Sequence, residues 1–294
     1  MTQFGFIAVL GEPNAGKSTL INQLVGQKVS IVSPKVQTTR QRILGIAMAG
    51  DAQLVLIDTP GIFAPKKRLD RAMVASAWDA GRDADQTILI VDASQKIQSR
   101  SQEILKGLEG CKVILVLNKV DAVDKARLLK LAETYHQYEQ VTEIFMISAL
   151  TGDGVPDLMA YLVSKAPAGP WMFPEDDITD MPQRLWASEI TREQLYHQLH
   201  QELPYETFVE TEAWEEFDNG SVKINQVIYV NRDGQKSIIL GKRGAKIKEI
   251  SQAAREELSQ LLGRQVHLYL YVKVAENWSE KSSFYRNIGL DFNA

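Results

Sequence analysis

The sequence predicts an α/β domain built on a mostly parallel six-stranded sheet, followed by a smaller α+β domain. Three observations carry that prediction. Over the first 165 residues, strand-length runs rich in Ile and Val alternate with amphipathic stretches, the pattern of strands and helices layered into one sheet. At 166–182 the pattern breaks into Ala-Pro-Ala-Gly-Pro-Trp-Met-Phe-Pro-Glu-Asp-Asp and then Met181-Pro182, which no helix can continue. A length of 294 residues suits two domains at ~150 residues each.

The apolar runs stand at 4–10, 43–48, 53–58, 87–92, 111–117 and 143–148. Runs this short and this apolar suit strands buried on both faces. Stretches near 17–26, 68–81, 98–109, 124–138 and 154–165 carry helical apolar spacing. Only four residues separate 43–48 from 53–58. So short a connection suits a hairpin, so the sheet should have one antiparallel edge strand. Beyond the break come a helix near 183–201, strands near 206–217 and 222–232, a helix from about 244 to 262 and a last strand near 265–274. Periodicity alone reads 237–240 as strand. The expected domains are 1–168 and 182–294, with a linker at 169–181.

Hydrophobic residues make up 45% and charged residues 24%, values that exclude a mostly disordered chain and a collagen-like repeat. The single cysteine, Cys111, excludes an internal disulfide and a Cys-rich zinc site; it reads as a small core residue. Neither a secretory signal nor an apolar run of membrane-spanning length is visible, so the chain reads as cytoplasmic. Charge is uneven. The stretch 220–294 holds 12 Lys and Arg against 7 Asp and Glu, while the rest of the chain is acidic. A basic C-terminal quarter makes a nucleic-acid contact there plausible.

Gly11-Glu12-Pro13-Asn14-Ala15-Gly16-Lys17-Ser18 follows the first strand and opens a helix. In that context G-x-x-x-x-G-K-S is a phosphate loop. Its glycines let backbone N–H groups wrap a phosphate, and the helix N-terminus adds positive dipole. Lys17 would reach the β- and γ-phosphates, Ser18 would bind Mg²⁺, and Thr19 continues the site onto the helix. Asp58-Thr59-Pro60-Gly61 ends the third strand. Asp58 can hold Mg²⁺ through water, and the Gly61 N–H can sense a γ-phosphate. Asn118-Lys119-Val120-Asp121 follows the fifth strand. A carboxylate at Asp121 accepts from guanine N1–H and its exocyclic amine together, which selects GTP over ATP. Ser148-Ala149 ends the sixth strand, where the Ala149 N–H could donate to guanine O6.

These pieces, each at the C-terminal end of a strand, resemble a translation-factor-type GTPase domain. Gln37-Thr38-Thr39-Arg40 then looks like the first switch, with Thr39 as the Mg²⁺ ligand in preference to Thr38. The expected catalytic set is Lys17, Thr39 and Gly61. Ile62 stands where small signalling GTPases carry a water-positioning glutamine. Isoleucine cannot orient water, so intrinsic hydrolysis should be slow. Asn14 either binds a K⁺ ion beside the phosphates, as in GTPases with asparagine there, or caps its own loop.

In the basic quarter, Ile238-Ile239-Leu240 precedes Gly241-Lys242-Arg243-Gly244 and then Ala245-Lys246-Ile247-Lys248. A G-x-x-G turn lets another backbone pass close, and Lys242, Arg243, Lys246 and Lys248 set positive charge beside it. KH modules clamp about four single-stranded nucleotides in this way. They carry a short helix before the turn, so the resemblance overrides the strand reading at 237–240. Tyr269, Tyr271 and Trp278 lie near the segment where bases would meet the groove, or else belong to the core.

The order GEPNAGKS, QTTR, DTPG, NKVD, SAL, linker, ILGKRGAKIKEI and VKVAENW resembles, over essentially the whole chain, the Era-like family of bacterial GTPases with a C-terminal type II KH domain. Gln41 stands where many members carry His. The resemblance implies GTP and GDP as ligands with Mg²⁺, and binding of the 3′ end of 16S ribosomal RNA through the KH domain. It also implies a role in 30S subunit maturation and peripheral association with the inner membrane. A monomer is the default. The alternative is an RNA chaperone that senses nucleotide with negligible turnover.

Overall fold

The computed structural model describes all residues except 36–37, 201–202 and 293–294; Gln37 of the expected switch lies outside the described residues. Strand β1 (Gln3–Gly11) lies inside a six-stranded sheet, paired in parallel with β3 (Ala52–Asp58) and β4 (Gln86–Asp92). The hairpin partner β2 (Ile43–Ala49) runs antiparallel to β3. β5 (Val113–Asn118) and β6 (Val141–Ile147) extend the sheet in parallel, giving the order β2-β3-β1-β4-β5-β6. β5 starts two residues later than the apolar run suggested, and Cys111 sits half-buried against the core before it.

Period-two alternation explains the two-sided burial. On β4, Ile88 and Ile90 enter the cluster that contains Leu20 and Ile21 of α1 (Lys17–Val25) and Leu158 and Leu162 of α5 (Val155–Lys165). Leu89 and Val91 enter the opposite cluster. That one contains Ala77 of α2 (Arg68–Asp83), Ile104 and Leu105 of α3 (Ser99–Gly107) and Tyr135 of α4 (Lys125–His136). Each such buried aliphatic side chain contributes ~1.5–3 kcal/mol. The functional loops are left at one end of the sheet.

The proline-rich stretch is ordered by the β2–β3 hairpin. Gln53 is fully buried; its Oε1 accepts from Met172 N and Phe173 N, each at 3.0 Å, and its Nε2 donates to Phe173 O at 2.8 Å. Ile46 N donates to Ile178 O at 2.9 Å, so the segment also covers part of the open edge of β2.

Contacts divide the chain at Asp180/Met181. The second unit holds α6 (Gln183–Gln198), β7 (Phe208–Glu216), β8 (Val222–Val230), α7 (Asp233–Leu240), α8 (Ala245–Leu262) and β9 (Val266–Val274). β8 pairs antiparallel with β7 and parallel with β9. A last helix, α9, spans Ser282–Asn287. From Tyr285 onward the chain groups with the first unit, whereas the sequence reading carried the second domain to 294. There the Phe292 ring lies 4.4 Å from the Arg68 guanidinium at the start of α2. Residues 237–240 are helical rather than extended: Gln235 and Ile239, four apart, point inward, while Ile238 between them is 60% exposed. A four-residue apolar run is too short for periodicity to decide. Among the described residues, no helix is long and apolar enough to cross a membrane.

Candidate functional site: a nucleotide cavity and a basic groove

β1 ends at Gly11 and α1 begins at Lys17, so the phosphate-loop motif is the turn between them. Gly16 has φ 103° and Asn14 φ 62°; left-handed backbone at Gly16 costs nothing because there is no Cβ. A Cβ there would collide with Asn118 Nδ2. A cavity of about 510 Å³ opens above the turn. Pro13, Asn14, Gly16, Lys17, Ser18 and Thr19 line it from the turn and α1, Thr39 and Gly61 from the switch segments, and Asn118, Lys119, Asp121, Ser148 and Ala149 from the strand ends.

Four predicted residues do not line the cavity. Gly11 is the strand exit, where Ile62 N donates to its carbonyl at 3.0 Å. Glu12 turns away and accepts from Ser101 Oγ of α3. Ala15 is fully buried, with its carbonyl accepting from Asn118 Nδ2 at 2.8 Å. Asp58 is fully buried behind Ser18 and Thr39.

Ser18, Thr39 and Asp58 form a tight cluster. Ser18 Oγ donates to Asp58 Oδ2 at 2.8 Å, Thr39 Oγ1 donates to the same oxygen at 3.0 Å, and the two hydroxyls are 3.0 Å apart. Thr38 Oγ1 instead donates to Lys35 O. Asp58 Oδ1 is buried with no hydrogen-bond partner among the described residues. Burial pushes the Asp58 carboxyl above its ordinary range, against the opposing pull of Ser18, Lys17 and Thr39. Lys17 is likewise buried, with Nζ on Glu12 O at 2.8 Å and Gly11 O at 3.3 Å. Burial lowers its pKa to about 8, though Asp58 and Glu12 work the other way. Both charges are desolvated, and Asp58 Oδ1 lacks a hydrogen-bond partner among the described residues, so the site gains by taking up further polar or charged groups. Two hydroxyls and a carboxylate are hard oxygen donors that fit Mg²⁺.

The base end is built around Asn118. Its Nδ2 holds the phosphate loop, and its Oδ1 accepts from Ala149 N at 2.9 Å. The Ala149 N–H expected to face guanine O6 donates here to Asn118, and Ala149 lines the cavity. Lys119 takes φ 65° and donates through Nζ to Asp92. Asn14 does not cap its own loop. Its Nδ2 donates to Pro34 O at 2.8 Å, tying the phosphate loop to the segment before Thr38. Ile62 lies in the core cluster with Leu10 and Val91 and does not line the cavity. Sequence reasoning missed Ile31, Val32, Ser33, Pro34 and Ala122 as lining residues; they carry no motif, and 31–34 is irregular backbone. Leu150, the end of the SAL run, also lines the cavity.

In the second unit, α7 stops at Gly241 (φ 71°), and a Cβ there would press on the Lys246 backbone. Lys242, Arg243 and Lys248 are exposed and, among the described residues, take part in no ion pair; Lys246 pairs with Glu249 at 3.0 Å. A groove of about 270 Å³ runs between α8 and β9, lined by Lys248, Ser251, Gln252, Arg255 and Tyr269 among others. Tyr269 and Tyr271 are 50% and 53% exposed. Trp278 belongs to the core at 2%, packed on Phe208 and Phe284 with its Nε1 donating to Glu206 O.

The fold and the two sites define a P-loop GTPase domain followed by a KH domain. Family models agree: a 50S ribosome-binding GTPase model matches residues 6–119, and a KH domain model matches 202–279. GTPase Era of Brucella suis is 54% identical over 99% of this chain and 94% of its own length. That of Rhizobium meliloti is 56% identical over the same shares. The chain belongs to the GTPase Era family. A crystal structure of Era in complex with MgGDPNP and nucleotides 1506–1542 of 16S ribosomal RNA matches with a TM-score of 0.92 and 38% identity, over 98% of this chain and 99% of that one. A variant of Aquifex aeolicus Era bound to GDP and AlF₄⁻ matches at 0.92 and 39%, with the same coverage.

Proposed function

We propose that the chain is a GTP-hydrolysing switch that binds the 3′ end of 16S ribosomal RNA through its KH domain and assists maturation of the 30S subunit. The observation that carries this reading is the convergence of Lys17, Ser18, Thr39 and Gly61 on one cavity, with Asp58 bonded to Ser18 and Thr39 from behind, in a chain that also holds a basic G-x-x-G turn. Era structures with MgGDPNP and the RNA fragment, and with GDP and AlF₄⁻, support the ligands.

Ser18 and Thr39 would hold Mg²⁺ directly and Asp58 through water. The bound ion supplies positive charge against the phosphates. Lys17 leaves the loop carbonyls it now occupies and meets the β- and γ-phosphates, where its buried charge gains a partner. Gly61 is pinned against Pro13, close enough that a side chain there would strike the Pro13 backbone. Its N–H reports the γ-phosphate. Asp121 reads the guanine edge. Hydrolysis removes the γ-phosphate and frees the segments carrying Thr39 and Gly61. With Ile62 in the core, the attacking water is placed by backbone, by another residue or by a partner. Asn14 with a K⁺ ion is one such device.

Lys242, Arg243, Lys246 and Lys248 hold the RNA backbone at the turn from Gly241 to Gly244. If the RNA site is open in one nucleotide state only, GTP and RNA strengthen each other's binding by the same factor. Filter binding of an RNA ending in the ribosomal 3′ sequence, with a non-hydrolysable GTP analogue or with GDP, tests this. Tighter binding with the analogue is expected, and equal affinity in both states contradicts the switch.

The placement of Ile62 favours one alternative, an RNA chaperone that senses nucleotide and scarcely turns it over. The working protein is read as a cytoplasmic monomer. Peripheral association with the inner membrane is supported by the family resemblance alone, and vesicle flotation tests it.

A further inference from the structure

Two separate cavities flank the G-x-x-G turn. One is the groove between α8 and β9. The other, of about 600 Å³, is bordered by the end of α6, the turn at Leu203–Glu206 and α7, and Lys246 lines it from the first turn of α8.

The lining of this second cavity has three parts. Leu199, Leu203 and Ile238 make an apolar surface, with Ile238 held outward by the burial of Ile239. His200, Arg232 and Lys246 bring basic nitrogen; Glu206 is the one carboxylate of the lining, and Lys246 also pairs with Glu249 beside it. Gln235 is buried and fixed at both ends of its amide: Oε1 accepts from Asn231 N at 2.9 Å, and Nε2 donates to Glu206. An amide so held still has one donor hydrogen and one acceptor lone pair to offer. Apolar surface, an oriented amide and basic groups at the rim match a nucleobase carrying a phosphate.

We propose that this cavity takes one base of the RNA strand, from a nucleotide next to those clamped at the G-x-x-G turn. The inference rests on the RNA reading above. A strand, rather than a free nucleotide, is favoured by Lys246, which follows the turn by two residues and lines the cavity.

Fluorescence anisotropy on the full chain tests the proposal with two RNAs drawn from the ribosomal 3′ end. One has about six nucleotides, enough for the ~4-nucleotide clamp, and the other about twelve. The long RNA should bind the parent chain about tenfold tighter, the size of one well-placed base contact. Ile238→Glu should remove that gain and leave the short RNA unchanged, whereas Ile238→Leu should keep it. Arg232→Glu, also at an exposed residue, gives an independent second variant. Long-RNA affinity unaffected by both variants overturns the proposal while the clamp reading stands. Saturable binding of a free mononucleotide at Ile238, with the long RNA indifferent to it, also overturns the strand reading. Gly241→Asp is the control for the clamp: if it leaves both RNAs bound as before, or if neither RNA binds the parent chain, the RNA reading itself fails and this extension with it.

Discussion

Lys119 Nζ and Asp92 Oδ2 lie 2.6 Å apart, a bond that joins the ends of β5 and β4 across 27 positions of sequence. Asp92 Oδ1 accepts from Ser94 N at 2.9 Å and Ser94 Oγ at 2.6 Å. Arg127 braces the same loop through Ala93 O and Gln95 O. The left-handed Lys119 is thereby held with its stem along the base end of the cavity. Asp92→Asn should weaken GDP and GTP equally, by about tenfold for the loss of one charged hydrogen bond, and leave kcat at saturating GTP unchanged. Titration calorimetry with both nucleotides checks this; a change in kcat alone contradicts a positioning role.

The same pair sets a pH dependence. Burial works to raise the Asp92 carboxyl, but hydrogen bonds from Lys119 and Ser94 outweigh it, and the net shift is downward. A lowered carboxyl contributes stability that is complete above its unfolded value and is lost as pH falls through the folded one. The stability gap between the parent and Asp92→Asn should be flat near neutrality and close below ~pH 4. Urea unfolding across that range gives the comparison, and a gap that widens in acid contradicts the bond.

Asp58 is held for its ligand at a cost to the empty fold. A buried carboxylate raised by desolvation destabilises the protein above its unfolded pKa. Asp58→Asn should therefore raise Tm without nucleotide, while hydrolysis falls by about a hundredfold or more and stabilisation by Mg²⁺ with GDP is lost. Thermal unfolding with and without that ligand is the check. A lower Tm in the empty protein would mean that Asp58 serves mainly as a partner for Lys17, Ser18 and Thr39.

Asp121 lines the cavity where a guanine edge would lie. Asp121→Asn reverses the donor–acceptor match, so preference should move from GTP to xanthosine triphosphate. Competition between the two reads this out, and unchanged preference means the base lies elsewhere.

Trp278 is core, so its loss should act through the fold. Trp278→Ala should cost ~3–5 kcal/mol, and RNA binding should fall only under conditions where the second unit unfolds. Full RNA loss in a variant with parental stability would return Trp278 to the RNA surface.

The strands and the phosphate chemistry were legible in the sequence because each demands fixed residue types at fixed spacing. Lys17, Ser18 and Asp58 could be placed together before any coordinates, since strand-end motifs meet when the sheet forms; Thr39 joined them through the resemblance of its segment to a GTPase first switch. Asp92 with Lys119, and Asn14 with Pro34, could not. Their partners are set by strand order and loop path, which leave no periodic trace. The bond from Ala149 N–H to Asn118 was not legible either, because a backbone donor carries no sequence label. Ile238 and Ile239 look alike in sequence, and only the helix sends one outward. The closing segment from Tyr285 was given to the wrong unit for a related reason: the Phe292–Arg68 contact is a long-range one.

The central claim is that nucleotide turnover and RNA binding are coupled in one chain. Phosphate release under multiple turnover, in K⁺ or Na⁺, with and without a short RNA matching the ribosomal 3′ end, tests it most directly. Stimulation by the RNA is the predicted result. A rate that neither RNA nor K⁺ changes contradicts the coupling and favours a nucleotide-sensing chaperone.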